Sequence, residues 1–199
     1  VKFQDLTTLL EQDESIFIPR NLDTRQDRYE QQIQQQIQHY IKNGSKGKLY
    51  LSYKPIKSLP DNLKYVGGTL YLVKTKIKSL PENLTVRGNL ELDRTQIESL
   101  PAGLKVYGAL FMNFTHLKSL PPGFEIGNGL YIKHTPITSL PAGLRVGGNF
   151  DLQGSQIESL PADLYVRNWL DIRDTPLAKK YTVEQLKKML PDVGGEIYI

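Results

Sequence analysis

The chain has 199 residues, 39% of them hydrophobic and 23% charged, with a formal net charge of +4. This balance fits one domain or one elongated array with short caps, and the longest apolar runs, a few residues each, fall far short of the ~18 to 20 needed to cross a bilayer. Cysteine is absent, which excludes disulfides, thiolate nucleophiles and cysteine-held zinc or iron–sulfur sites and suits a reducing compartment.

The charge is unevenly placed. Residues 1 to 40 sum to −3, whereas residues 41 to 80 hold nine lysines (42, 46, 48, 54, 57, 64, 74, 76 and 78) against Asp61 alone, a net of +8. The first residues, Val1 to Asp5, contain no apolar run of signal-peptide type, so the cytoplasm is the expected location. Phe3, Leu6, Leu9 and Leu10 share a helical face. Thr24-x-x-Asp27 opens a second helix with Tyr29, Ile33, Ile37, Tyr40 and Ile41 on one side, and Asn43-Gly44 ends it. Glutamines 31, 32, 34, 35, 36 and 38 fill the other face and read as solvated surface. Residues 1–47 are thus predicted to be a helical N-terminal cap.

Residues 48–181 repeat. Ser-Leu-Pro recurs at 58, 79, 99, 119, 139 and 159, at one interval of 21 and four of 20. Alternation of apolar and polar residues from Val86 to Leu92 predicts a strand in each copy. In register, Leu70, Leu90, Leu110, Leu130, Phe150 and Leu170 form one inward column, and Leu72, Leu92, Met112, Ile132, Leu152 and Ile172 the next. A single unit cannot bury enough apolar surface to offset the entropy of ordering its residues, so the copies must stack around one continuous core. Gly68, Gly88, Gly108, Asn128, Gly148 and Asn168 share a third column, and Asn62, Asn83, Gly103, Gly123, Gly143 and Asp163 a fourth. The Gly/Asn interchange predicts positive φ in both. Neither Gly67-Gly68 nor Gly147-Gly148 is followed by a helix start, which a phosphate cradle needs.

With its Leu-x-Leu-x-x-Thr-x-Ile unit, the region resembles the short leucine-rich repeat of bacterial and bacteriophage proteins, where the usual unit is Leu-x-Leu-x-x-Asn-x-Leu. The departure is Thr75, Thr95, Thr115, Thr135, Ser155 and Thr175, whose hydroxyls are expected to take the asparagine's role of bonding backbone between coils; Lys54 breaks this ladder in the first repeat. The resemblance implies an α/β solenoid, a leucine-rich-repeat array with one curved parallel sheet, a helical N-terminal cap and a helix-plus-strand C-terminal cap. It also implies a non-enzymatic protein-binding module, a bacterial or phage factor that sequesters or inhibits a host protein, with delivery into a host cell left open. Paired N-terminal helices resemble the cap of secreted effector repeat proteins, but the catalytic cysteine domain of effector ubiquitin ligases has no counterpart here.

Residues 182–199 read as the C-terminal cap. Thr182-Val183-Glu184-Gln185 is a capping box opening a short helix through Leu186, Met189 and Leu190, stopped by Pro191. Gly195 to Ile199 repeats the strand pattern and predicts an eighth strand.

The sheet residues alternating with the core leucines should face the concave side. One column runs Tyr50, Tyr71, Glu91, Phe111, Tyr131, Asp151, Asp171 and Tyr198, with Tyr53, Phe114 and Trp169 nearby. Exposed rings rimmed by charge mark binding surfaces, so Tyr50, Tyr53, Tyr71, Phe111, Phe114, Tyr131 and Trp169, with Lys74, Arg94, Lys133 and Arg173, are the candidate partner-binding residues. The alternative is a nucleic acid or other polyanion held by the early lysines, although Lys57, Lys78 and Lys118 form an edge column outside the strands and no nucleic-acid motif accompanies them. Of three histidines only His116 and His134 fall on adjacent coils, and Glu91, Asp93, Asp151, Asp171 and Asp174 sit on separate strands. No catalytic residue, cofactor or metal site is therefore expected.

Overall fold

The computed structural model describes residues 25–199. The helix expected on Phe3, Leu6, Leu9 and Leu10, and the Thr24 cap, lie outside the described residues. Helix α1 (Arg25–Lys42) ends as the sequence requires. Ser45 N–H bonds the Tyr40 carbonyl at 3.0 Å and Gly44 N–H that of Ile41 at 2.9 Å, with Gly44 at φ +79°, the paired closure that a left-handed residue after a helix permits. Ile33 and Ile37 are buried and Tyr40 and Ile41 pack on the same core, but Tyr29 is exposed, so the apolar face is shorter than the periodicity suggested. The glutamine face is not simply solvated. Gln38 and Asn62 exchange amide hydrogen bonds at 2.9 and 3.2 Å, Gln34 donates to the Ser58 carbonyl at 3.0 Å, and Gln36 accepts from Lys54 at 2.7 Å. These contacts join the helix to the first coil.

Two short strands form in most coils. The first sheet has eight parallel strands in spatial order: β1 (Leu49–Tyr50), β3 (Leu70–Tyr71), β5 (Leu90–Glu91), β7 (Leu110–Phe111), β9 (Leu130–Tyr131), β11 (Phe150–Asp151), β13 (Leu170–Asp171) and β14 (Ile197–Tyr198). The second has six: β2 (Tyr65–Val66), β4 (Thr85–Val86), β6 (Lys105–Val106), β8 (Glu125–Ile126), β10 (Arg145–Val146) and β12 (Tyr165–Val166). The single strand expected from Val86 to Leu92 is therefore two, broken by a bend at Arg87-Gly88. No helix crosses between strands of adjacent coils. Each coil instead wraps back in extended segments, and Leu70, Leu72, Leu90, Leu92, Leu110, Leu130 and Phe150 are sealed in one stacked core.

The glycine column at the bend does not have positive φ. Gly68, Gly88, Gly108, Asn128, Gly148 and Asn168 are absent from the left-handed residues. Glycine is needed there for room: a Cβ at Gly88 would stand 2.6 Å from the Thr69 nitrogen, and one at Gly148 would stand 2.5 Å from Asn128 Oδ1. The fourth column follows expectation at Asn83, Gly103, Gly123 and Gly143, with φ from +57° to +78°, but not at Asn62 or Asp163.

The threonine ladder also differs from expectation. Thr75, Thr95, Thr115, Thr135 and Thr175 each donate to the carbonyl three residues back in their own coil at 2.6 to 2.8 Å. At the ladder position the hydroxyl turns back onto its own coil, although hydroxyls elsewhere bridge neighbouring coils: Ser52 Oγ accepts from Val73 N–H at 3.0 Å and Thr69 Oγ1 from Asn89 N–H at 3.2 Å. Asp93 accepts from Asn113 N–H at 2.7 Å, and Asn113 in turn accepts from Lys133 N–H at 3.0 Å.

At the C-terminus the capping box forms, with Thr182 N–H to Gln185 Oε1 at 2.8 Å and Gln185 N–H to Thr182 Oγ at 3.3 Å. Helix α2 (Val183–Met189) buries Leu186, Leu190 follows it into the core, and Met189 stays exposed. Strand β14 pairs Ile197 with Leu170 and Tyr198 with Asp171. No helix among the described residues is long and apolar enough to cross a membrane.

Candidate functional site

Because side chains alternate along each strand, Leu70 points into the core and Tyr71 points away from it. Strand pairing then places Tyr50, Tyr71, Glu91, Phe111, Tyr131, Asp151, Asp171 and Tyr198 in one row across the first sheet. The spacing between strands matches ring stacking. Tyr50 and Tyr71 lie 4.7 Å apart at 5°, and Phe111 and Tyr131 lie 4.6 Å apart at 2°. Glu91 separates the two stacks. Burial first and Asp93 second disfavour its charge, so its carboxyl titrates above the ordinary carboxylate value.

Beyond Tyr131 the row drops to two short acids, and a shallow depression of about 530 Å³ opens between Tyr131 and Tyr198. Trp169 stands at its side, edge-on to Tyr131 (6.4 Å, 72°) and to Tyr198 (6.2 Å, 75°). Small neighbours permit this arrangement: the Tyr131 ring lies over Gly129, where a Cβ would come within 2.6 Å of it. Asp151 and Asp171 were expected at the surface but are buried, at 3% exposure each. Lys133 Nζ reaches Asp151 at 2.8 Å, and Arg173 binds Asp171 through its guanidinium and its backbone N–H while lying 5.7 Å from the Tyr198 ring centre. Hydrogen bonding to Asp171, then its charge, holds the Arg173 pKa above the usual value. Both cations are thereby fixed in position on the open side of the depression.

Tyr53, Lys74, Arg94 and Phe114 occupy a different line. They immediately precede the ladder position, with His134, Gly154 and Asp174 continuing the series, and all seven have positive φ, between +51° and +68°. This is a left-handed column that sequence reasoning missed, although the period-20 recurrence ending in Gly154 and Asp174 carried the signal. A side chain at such φ costs roughly 1 to 2 kcal/mol, least for Asn and Asp. The exposed groups meet in two sets: Lys74 lies 5.4 Å from the Tyr53 ring centre, while Arg94 lies 4.5 Å from that of Phe114, which stacks on His134 at 4.8 Å.

The candidate residues thus fall into three groups. Tyr50 and Tyr71 form an N-terminal stack; Phe111, Tyr131, Trp169, Lys133 and Arg173 surround the depression with Asp151, Asp171, Asn113 and Tyr198. Tyr53, Lys74, Arg94 and Phe114 form the left-handed line with His134. The edge lysines are separate and largely engaged. Lys57 pairs with Glu30 at 3.3 Å and Lys118 with Glu98 at 2.6 Å, a contact that lowers the Glu98 pKa. Among the described residues no three of His, Cys, Asp and Glu converge as metal ligands would.

No protein-family model and no curated protein matches the sequence. The fold is similar to a solved Shigella structure titled "Structure of Shigella effector LRR domain", with a TM-score of 0.50 and 18% identity over 100% of this chain and 98% of that one. At that identity the likeness concerns the fold alone, and together with the stacked 20-residue units it identifies the architecture as a leucine-rich-repeat solenoid.

Proposed function

We propose that the chain is a non-enzymatic binding module that grips a partner protein with the ring-bearing face of its first sheet. The observation that carries this reading is the depression between Tyr131 and Tyr198, walled by Phe111, Tyr131, Trp169 and Tyr198 and flanked by two cations held on buried carboxylates. Rigid aromatic side chains bury large area on binding at low entropic cost, and pre-held cations lose little further freedom when a partner arrives. Nothing in this arrangement pairs a nucleophile with a base, so the module acts by occupancy: a bacterial or phage factor of this kind would sequester or inhibit a host protein rather than modify it.

The test is to isolate the partner from the native host by affinity purification with nuclease treatment and mass spectrometry, then compare variants by titration. Phe111→Ala with Tyr131→Ala should weaken binding by about 30-fold or more, since truncating central interface rings commonly costs ~2 kcal/mol or more, while circular dichroism shows the fold intact. Undiminished binding by that folded variant would sink the reading. Loss of binding on reversing Lys74, Lys76 and Lys78 to Glu, with nuclease releasing the captured material, would favour the polyanion alternative.

A further inference from the structure

The two left-handed columns of this molecule are filled by opposite rules. Along one, the chain uses Asn83, Gly103, Gly123 and Gly143, the residues that adopt positive φ at least cost. Along the other, the same conformation in five successive coils carries Tyr53, Lys74, Arg94, Phe114 and His134, and reverts to Gly154 and Asp174 only afterwards. A column serving the backbone alone would be filled like the first. The large side chains are kept at a cost to stability, and all five are exposed.

Their charge differs from that of the other cations on this face. Lys133 and Arg173 are each neutralised by an aspartate. Lys74 and Arg94 have no carboxylate partner among the described residues; each lies over a ring, which holds it in place and leaves its charge uncompensated. Phe114 has Arg94 and His134 stacked on it, so what it offers a ligand is its hydrogen-bearing edge, the positive part of the ring quadrupole. The strip from Tyr53 to His134 therefore carries two uncompensated cations, Lys74 and Arg94, between its aromatic side chains. It is about 19 Å long at ~4.8 Å per coil, the length of roughly six extended residues.

We infer that this strip is the docking track for an extended acidic segment of a protein partner, with carboxylates on Lys74 and Arg94 and apolar side chains along the edges of Tyr53 and Phe114. Single-stranded nucleic acid fits less well: it binds by stacking bases on free ring faces, and Phe114 is already covered by Arg94 and His134. The inference rests on the protein-binding reading above but uses a different set of side chains.

The probe is a random dodecapeptide display library selected on the 199-residue chain. Enriched peptides should carry acidic residues two apart, and their binding by fluorescence anisotropy should fall at least about tenfold in Lys74→Ala with Arg94→Ala. Arg94→Gly and Phe114→Gly should raise Tm while losing peptide affinity, a combination that a purely structural column would not produce. Winners without acidic enrichment, winners bound equally well by the double variant, a fall in Tm in the glycine variants, or displacement of the peptide by a 20-nucleotide oligo-dT at lower concentration would each overturn the inference. Because Phe111 and Tyr131 are untouched here, failure of this test leaves the depression as a binding site, and failure of that earlier test leaves the track standing.

Discussion

Ser155 shows how much one methyl group decides in a stacked fold. Five coils carry threonine at this buried position, and each hydroxyl bonds the carbonyl three residues back. In the sixth, the fully buried serine oxygen has no partner. Threonine's second Cβ substituent restricts χ1 and holds its hydroxyl against that carbonyl, whereas serine rotates freely among its wells. Restoring threonine should satisfy the oxygen and fill a space already shaped for it in the neighbouring coils. Ser155→Thr is therefore expected to stabilise the chain by about 1 kcal/mol, read from chemical denaturation. A destabilised variant would mean that the coil at Gly154 is packed more tightly than its neighbours.

At the scale of the strands and bends, glycine serves two separate purposes that look alike in the sequence. Gly123 has φ +64° and open space around its missing Cβ, so its role is conformational. Gly148 has an ordinary φ, but a Cβ there would strike Asn128 Oδ1 at 2.5 Å and the Gly129 nitrogen at 2.9 Å, so its role is coil-to-coil approach. Gly123→Ala should cost about 1 to 2 kcal/mol, the penalty for an L side chain in the left-handed region. Gly148→Ala should cost more, up to ~3 kcal/mol, because it must push neighbouring coils apart. Comparing the two variants by denaturant titration checks this; equal costs would show that the bend relaxes around a methyl group. Asn128 and Asn168 are tolerated in the same column, each following a coil that carries glycine there.

Across the whole molecule, stability is built from contacts between successive coils, so each open end is a place where unfolding can begin. The C-terminal segment closes one end: Leu186, Leu190 and Ile197 are buried, β14 completes the first sheet, and Val193 bridges to Val166 beside the second. Deleting residues 182–199 removes three large buried side chains, each contributing ~1.5 to 3 kcal/mol. Tm should fall by on the order of 10 °C or more, and hydrogen exchange should show the coils nearest Leu170 opening before those near Leu90. Unchanged Tm, or protection lost evenly along the stack, would argue against end-initiated unfolding.

Period and burial pattern were legible in the sequence because they follow from local rules. Recurring Ser-Leu-Pro set the coil length, paired leucine columns set the register and the eight-stranded sheet, and Thr182 with Gln185 marked the last helix, each needing only near neighbours along the chain. What depends on contact between coils was not legible. Whether a glycine serves φ or clearance, and whether Asp151 faces water or lies under Lys133, are decided by atoms about twenty residues away in sequence. The same holds for the candidate site. The rings could be placed in rows from the repeat alone, but the depression exists because two short acids happen to lie between Tyr131 and Tyr198 beside Trp169. The left-handed line of Tyr53, Lys74, Arg94, Phe114 and His134 emerged only once the backbone of every coil was in place.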